Sequence, residues 1–417
     1  MDFAYSSRVE DLRTRLSDFL ETRVLPEHRR VTELIEAGTY PLEVIEPLKA
    51  AAKAEGLWNL FLPGLREDEP GTRLTNLEYA PLAELMGRLP WAPEVFNCNA
   101  PDTGNMEILH LFATVEQRKQ WLDPLLAGDI RSVVSITEPD VASSDPTNLQ
   151  TEIRQDGAEY VINGRKWFNT GALHPKAAFL LVMGVSNFEA DAPRHRRHSF
   201  IIVPMDALGF RIIRNVPIMN HHAIEGHCEV SFDNVRVPAG NLLGEEHAGF
   251  AIAQARLGPG RIHHCMRTIG QCELALELMC VRALQRRVFG RALADFANNQ
   301  DEIALSRIEI DQARLLCLRA AWRMDTEGNQ SARVDVSAIK IVAARLQVRV
   351  LDRAMQIFGA MGLSNDTPLA YLWSWGRALR LLDGPDEVHL RVVSRDEVAK
   401  AKAQPDRHAL YFTAPSR

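Results

Sequence analysis

The chain has 417 residues, longer than one hydrophobic core usually serves, so two or three core-forming units are expected. Apolar residues make up 46% and charged residues 24%, with a formal net charge of -6, as in an ordinary soluble enzyme, which gives no electrostatic footing for nucleic acid. No apolar run is long enough to cross a bilayer, and the six cysteines form no CxxC pair, so a reducing intracellular setting is expected, cytoplasmic if the source is bacterial.

From Arg8 to about residue 129 the period is helical: Leu12, Leu16 and Leu20 recur every fourth residue, followed by similar stretches at Leu48 to Leu57, Leu77 to Met86 and Met106 to Leu126. The first residues read as an amphipathic helix carrying acids, unlike a signal or transit peptide. Between about 130 and 242, short β-branched runs alternate with turn signals at Asp156-Gly157 and Asn163-Gly164. Strands joined by turns argue for an antiparallel barrel or sandwich and against a Rossmann sheet. From Phe250 the helical period returns, as in Val334 to Phe358, where Ile339, Val342, Leu346 and Val350 step by three or four. The expected class is α+β, mostly α: a helical unit over 1–129, a β unit over 130–242, a helical bundle over 243–400 and a loose tail over 401–417.

General motifs are absent: no Walker A sequence, no GxGxxG after a strand, no HExxH and no zinc-spaced Cys/His array, so no metal is expected. His221-His222 and His263-His264 are adjacent pairs whose side chains point apart, and structural or solvent roles are expected for them. Gly258-Pro259-Gly260-Arg261 is placed before a long helix, and Gly359, Gly362 and Gly384 interrupt helical segments. Taken alone, Asp383 to Glu387 reads as an acidic turn ending a helix over Tyr371 to Leu382.

The segment Ser135-Ile136-Thr137-Glu138-Pro139-Asp140-Val141-Ala142-Ser143-Ser144-Asp145 resembles the flavin-binding signature of acyl-CoA dehydrogenases. Further segments follow in that family's order: Ile162 to Gly171, Arg286-Arg287-Val288-Phe289-Gly290, Gln356-Ile357-Phe358-Gly359 and Asp383 to His389. The resemblance covers about residues 1 to 400. Ala100 to Glu107 and Gly258 to His264 are similar to the branch containing the animal members numbered ten and eleven and bacterial relatives. The fold it implies is a helical amino-terminal domain, a β-barrel middle and a carboxy-terminal four-helix bundle. The activity it implies is FAD-dependent α,β-dehydrogenation of an acyl-CoA to the trans-2-enoyl-CoA.

That chemistry needs a base for the α proton, an acceptor for the β hydride and stabilisation of the developing enolate. Asp383 matches the position of the family's carboxylate base, usually Glu, and burial is expected to raise its pKa. The resemblance implies that the Asp383 N–H helps form the oxyanion site, and that Ser143, Arg261 and Gly384 lie on the substrate side. It places Thr137, Ser143 and Thr170 as hydrogen-bonding groups around the flavin, with Phe168 where a tryptophan usually shields the ring and Trp167 one place away. It assigns Arg286 and Phe289, and Gln356, Gly359 and Ala360, to the pyrophosphate and adenosine end of FAD in a neighbouring subunit, implying a homodimer or homotetramer. Phe296 and Ala297 depart from the polar pair common after Phe289-Gly290. Electron-transferring flavoprotein is the implied electron acceptor. Two alternatives are a nitroalkane-oxidase-like enzyme using the same aspartate and a non-catalytic, DNA-associated flavin protein, against which the net acidity counts.

Overall fold

Helices open the computed structural model, which describes residues 4–404 and 411–412. Ser6 caps α1 (Ser7–Phe19) by accepting the Val9 N–H, and Leu12, Leu16 and Phe19 are buried along its inner face. Helices α2 (His28–Glu36), α3 (Leu42–Ala54), α4 (Asn76–Gly87), α5 (Ala92–Val95), α6 (Asp102–Phe112), α7 (Val115–Gln117) and α8 (Asp123–Ala127) follow. A reciprocal capping box between Thr75 and Glu78 starts α4.

Strands β1 (Arg131–Ser135), β2 (Glu152–Asp156), β3 (Glu159–Thr170), β4 (Ala177–Val185), β5 (His198–Pro204), β6 (Phe210–Asn215), β7 (His227–Pro238) and β8 (Leu242–Leu243) form one sheet. Its order is β6-β7-β3-β2-β4-β5-β8, with β1 paired in parallel to β4. The sheet does not close into the expected barrel: among the described residues no ladder joins β6 to β8, and β2 meets β4 only at Glu152 and Val185. Asp156-Gly157 is the turn between β2 and β3, with Gly157 at φ 63°, but Asn163-Gly164 lies inside β3 at a shift of register against β7. A Cβ on Gly164 would stand 2.8 Å from the Thr151 Cα, so this glycine serves close backbone approach instead of a turn.

Both faces of β4 and β5 are covered, which explains their continuous apolar runs. Phe179, Leu181, Met183, Phe200 and Ile202 join the core shared with the helices, while the alternate residues Leu180, Val182, Ile201 and Val203 pack within the sheet domain. Beyond the sheet come α9 (Gly249–Gln285), the hairpin of β9 (Arg287–Val288) and β10 (Arg291–Ala292), α10 (Ala297–Ser331), α11 (Arg333–Phe358), α12 (Leu369–Leu379) and α13 (Asp386–Lys402). Helices α9, α10 and α11 pack on one another, with α12 and α13 against α11. Gly258-Pro259-Gly260-Arg261 does not precede a helix; it lies within α9, where Pro259 is buried and tertiary packing overrides three poor helix formers. The last helix reaches Lys402, so the expected tail begins later than residue 401, and most of it lies outside the described residues. No helix among the described residues is long and apolar enough to span a membrane.

Candidate active site

Helix α9 supplies one wall of a cavity of about 1060 Å³. Ala253, Arg256, Gly260, His264, Arg267 and Gln271 recur by three or four residues and all line it. The helix is held in place where α4 and α9 cross with backbones in contact: a Cβ on Gly270 would fall 1.8 Å from the Glu84 carbonyl oxygen, and one on Gly87 2.3 Å from that of Arg267. Arg256 is buried and donates from Nε to Asn105 Oδ1 at 3.0 Å, keeping a cation inside the cavity with no carboxylate partner in hydrogen-bond contact among the described residues.

Asp383 lines the same cavity from the turn between α12 and α13. Helix α12 ends at Leu379, earlier than the sequence suggests, because the turn is drawn inward by groups from other helices. Lys340 of α11 donates to the Leu379 and Leu382 carbonyls, and Arg261 Nε donates to the Asp383 carbonyl at 2.9 Å. His389 Nε2 lies 3.3 Å from that same oxygen, and Asp386 accepts from Arg345 and Arg380. These bonds hold Asp383 at φ 51° and Gly384 at φ 101°, both left-handed, the first a strained value for a residue with a side chain. The Asp383 N–H donates to no group among the described residues.

The Asp383 side chain is 21% exposed, and its Oδ2 lies 3.5 Å from His264 Nε2. Burial alone would push this carboxyl up, but His264, which counts only where it is protonated, and the cations Arg256, Lys340 and Arg261 outweigh burial and hold it below the usual range. The expected rise is therefore reversed, because the charges that decide it come from α9 and α11 and not from its own segment. Burial and the neighbouring Arg267 push the His264 imidazole down to about 3 against the opposing pull of Asp383, so it is neutral at neutral pH. The two members of the adjacent pair thus differ. His263 is buried edge-on against Tyr79 and Phe61, as expected of a structural residue, whereas His264 faces the cavity.

Strand β3 and the segment after β1 supply Thr137, Ser143, Trp167, Phe168 and Thr170 to the lining. Neighbours on a regular strand point to opposite faces. Here the register against β7 shifts between Lys166 and Asn169, and Phe168 takes φ 53°, so Trp167 and Phe168 both reach the cavity, edge to face at 4.8 Å. The buried Trp167 Nε1 has no hydrogen-bond partner among the described residues. Thr170 Oγ1 is 3.0 Å from His227 Nδ1, and the His227 ring stacks on Trp375. The Ser143 hydroxyl accepts the Glu138 N–H at 2.9 Å, so it closes its own loop. Glu138 accepts from the backbone of Gln150 and Thr151 and from the fully buried Lys166, whose Nζ also reaches the Ile136 carbonyl, which clamps this loop to β3.

The other residues predicted from the sequence are not brought to this cavity within one chain. Arg286 and Phe289 lie exposed at the β9–β10 hairpin, Phe289 being 92% exposed, and Gln356, Gly359 and Ala360 are exposed at the end of α11. Arg256, His264 and Arg267 were missed, although their spacing with Gly260 and Gln271 marks one helix face. That signal is hidden when Gly258 to Arg261 is read as a break.

Models of the amino-terminal, middle and carboxy-terminal domains of acyl-CoA dehydrogenases match residues 6–129, 134–235 and 247–397. The chain is 54% identical over 410 residues to the probable acyl-CoA dehydrogenase FadE2 of Mycobacterium tuberculosis, covering 97% of this chain and 98% of that one. It is 47% identical to mouse acyl-CoA dehydrogenase family member 11, covering 95% of this chain but 51% of the relative, so it spans about half the length of that protein. A solved structure of a putative acyl-CoA dehydrogenase from Mycobacterium abscessus superimposes with a TM-score of 0.90 at 50% identity, over 95% of this chain and 100% of that one.

Proposed function

Since the chain belongs to the acyl-CoA dehydrogenase family, we propose that it binds FAD in the cavity and oxidises an acyl-CoA to the trans-2-enoyl-CoA, with Asp383 as the base. The observation that carries this reading is the strained, pinned turn that presents one carboxylate to a large cavity lined by cations and aromatic rings. The residues present fit the cofactor: an unpartnered buried indole N–H, two aromatic faces and the hydroxyls of Thr137 and Thr170 line the space where a flat, acceptor-rich ring system would sit. FAD, when bound, supplies the acceptor for the hydrogen that leaves the β carbon with its electron pair.

The Asp383 carboxylate takes the α proton on an Oδ atom. Held below the usual range, it is ionised at neutral pH and needs no prior deprotonation, but it is a weak base, so the developing enolate must be stabilised strongly. The free Asp383 N–H is suited to donate to the thioester oxygen, and Arg256 and Arg261 add positive potential nearby. Gly384, which also lines the cavity, lets the turn approach His389 closely, since a Cβ there would meet His389 Nε2 at 3.0 Å. The short Ser143 loop orders the flavin-side wall. The exposed Arg286 and Phe289, with Gln356, Gly359 and Ala360, would complete the adenosine end of a partner's cofactor site, making the working form a homodimer or homotetramer. Electron-transferring flavoprotein is the proposed electron acceptor.

Anaerobic mixing of the purified, FAD-loaded protein with a panel of acyl-CoAs, and separately with nitroalkanes, tests the reading. Loss of the oxidised flavin absorbance with at least one acyl-CoA is expected. Bleaching by nitroalkanes alone would overturn it.

A further inference from the structure

An aspartate base is one methylene shorter than a glutamate, so its carboxylate depends more on what orients it. Among the described residues, no side chain or backbone group donates a hydrogen bond to either Asp383 carboxylate oxygen, and His264 is the one basic group within 4.0 Å of it. Arg261, the other neighbour, is committed to the Asp383 carbonyl. The chemistry on the far side of the imidazole fixes its tautomer. Arg267 Nη2 lies 3.1 Å from His264 Nδ1, and a guanidinium can only donate, so Nδ1 is the acceptor. In a neutral ring the proton then resides on Nε2, the atom that faces Asp383. Arg267 is itself buried and anchored by its Nη1 on the Cys98 carbonyl at 3.3 Å.

We propose that Arg267 and His264 are positioning residues for the Asp383 carboxylate: Arg267 locks the imidazole tautomer, and the His264 Nε2–H holds Oδ2 toward the substrate. This rests on the reading of Asp383 as the base. At 3.5 Å the contact is at the outer limit of a hydrogen bond, and the proposal requires it to shorten when an acyl-CoA excludes water, as catalytic contacts often do on forming the substrate complex. The charged and titratable groups around the pair are Arg256, Arg261 and Cys265 of α9, Lys340 of α11 and His389 of α13. His263, the preceding residue on the same helix, also interacts electrostatically with His264.

The test compares His264→Leu and His264→Gln in the FAD-loaded protein, using the straight-chain acyl-CoA that bleaches the wild type fastest. Gln places an amide N–H near the position of Nε2, whereas Leu fills the volume without a donor. His264→Leu is expected to slow bleaching by between about tenfold and a hundredfold, with acyl-CoA affinity changed far less. It should also move the acid limb of the rate profile to higher pH, because a donor to the ionised form has been removed. His264→Gln is expected to restore much of the rate and the acid limb. Wild-type rates and an unmoved acid limb in His264→Leu would overturn the proposal, provided Asp383→Asn fails to bleach; if Asp383→Asn bleaches normally, it is the base assignment that falls. Nitrogen NMR of the wild-type imidazole gives a check that needs no variant to fold. The neutral Nε2–H form is expected, and a neutral Nδ1–H form or an imidazolium would overturn the proposal.

Discussion

Asp383 and Phe168 both hold positive φ without being glycine or asparagine, and both line the cavity. Such conformations cost on the order of 1 to 3 kcal/mol and persist where the surroundings over-determine them. At Asp383 those surroundings are Lys340, Arg261 and His389, from three helices; at Phe168 they are the shifted ladder of β3 and β7. The identity of these residues was legible from short segments, but their conformation and charge environment were not, because the deciding partners lie far away in the chain. His198, which no sequence segment singled out, is 1% exposed with both ring nitrogens unpartnered among the described residues. Burial first, then Lys166 and Arg197, push it down to about 4. In the unfolded chain it would titrate near 6.5, so between these values the unfolded state binds the extra proton and stability falls as pH falls. The shift corresponds to on the order of 3 kcal/mol. Denaturant unfolding at a series of pH values should therefore show stability dropping from pH 6.5 to about 4. His198→Leu should flatten that slope, and an identical slope in the variant would contradict the assignment.

At the scale of elements, the helix–strand–helix order was readable from the changes of period, since amphipathic helices and short β-branched runs differ in a property local to the chain. The two misread breaks, Asn163-Gly164 and Gly258 to Arg261, share a cause. Glycine and proline signal a turn locally, yet here they serve close packing and a helix held by its neighbours. The α4–α9 crossing is the clearest instance, for it sets where His264 and Arg267 stand. Gly270→Ala would drive a methyl into the Glu84 carbonyl and force the helices apart. A loss of about 1 to 3 kcal/mol or more is expected in denaturant unfolding, together with slower flavin bleaching from the displaced α9 face. Unchanged stability and rate would show that the crossing does not position the site.

For the whole molecule, one cavity gathers residues from all three segments: Thr103 and Gly104 of α6, the β3 aromatic pair, the α9 cations and the Asp383 turn. Three of the five resembling segments, Ser135 to Asp145, Ile162 to Gly171 and Asp383 to His389, contribute residues to the cavity lining, while the cationic wall emerged only once α9 was seen to run unbroken from Gly249. Phe289, 92% exposed at a hairpin tip, contributes nothing to the core of its own chain, and in the proposed homo-oligomer it and Arg286 would meet a partner's cofactor site. The account stands on a single proton transfer at one side chain. Its most direct test is anaerobic bleaching of the bound flavin by the best acyl-CoA in wild type, Asp383→Asn and Asp383→Glu. The account predicts that Asp383→Asn retains FAD and binds acyl-CoA yet fails to bleach, while Asp383→Glu keeps measurable activity. Rapid bleaching by Asp383→Asn would contradict it.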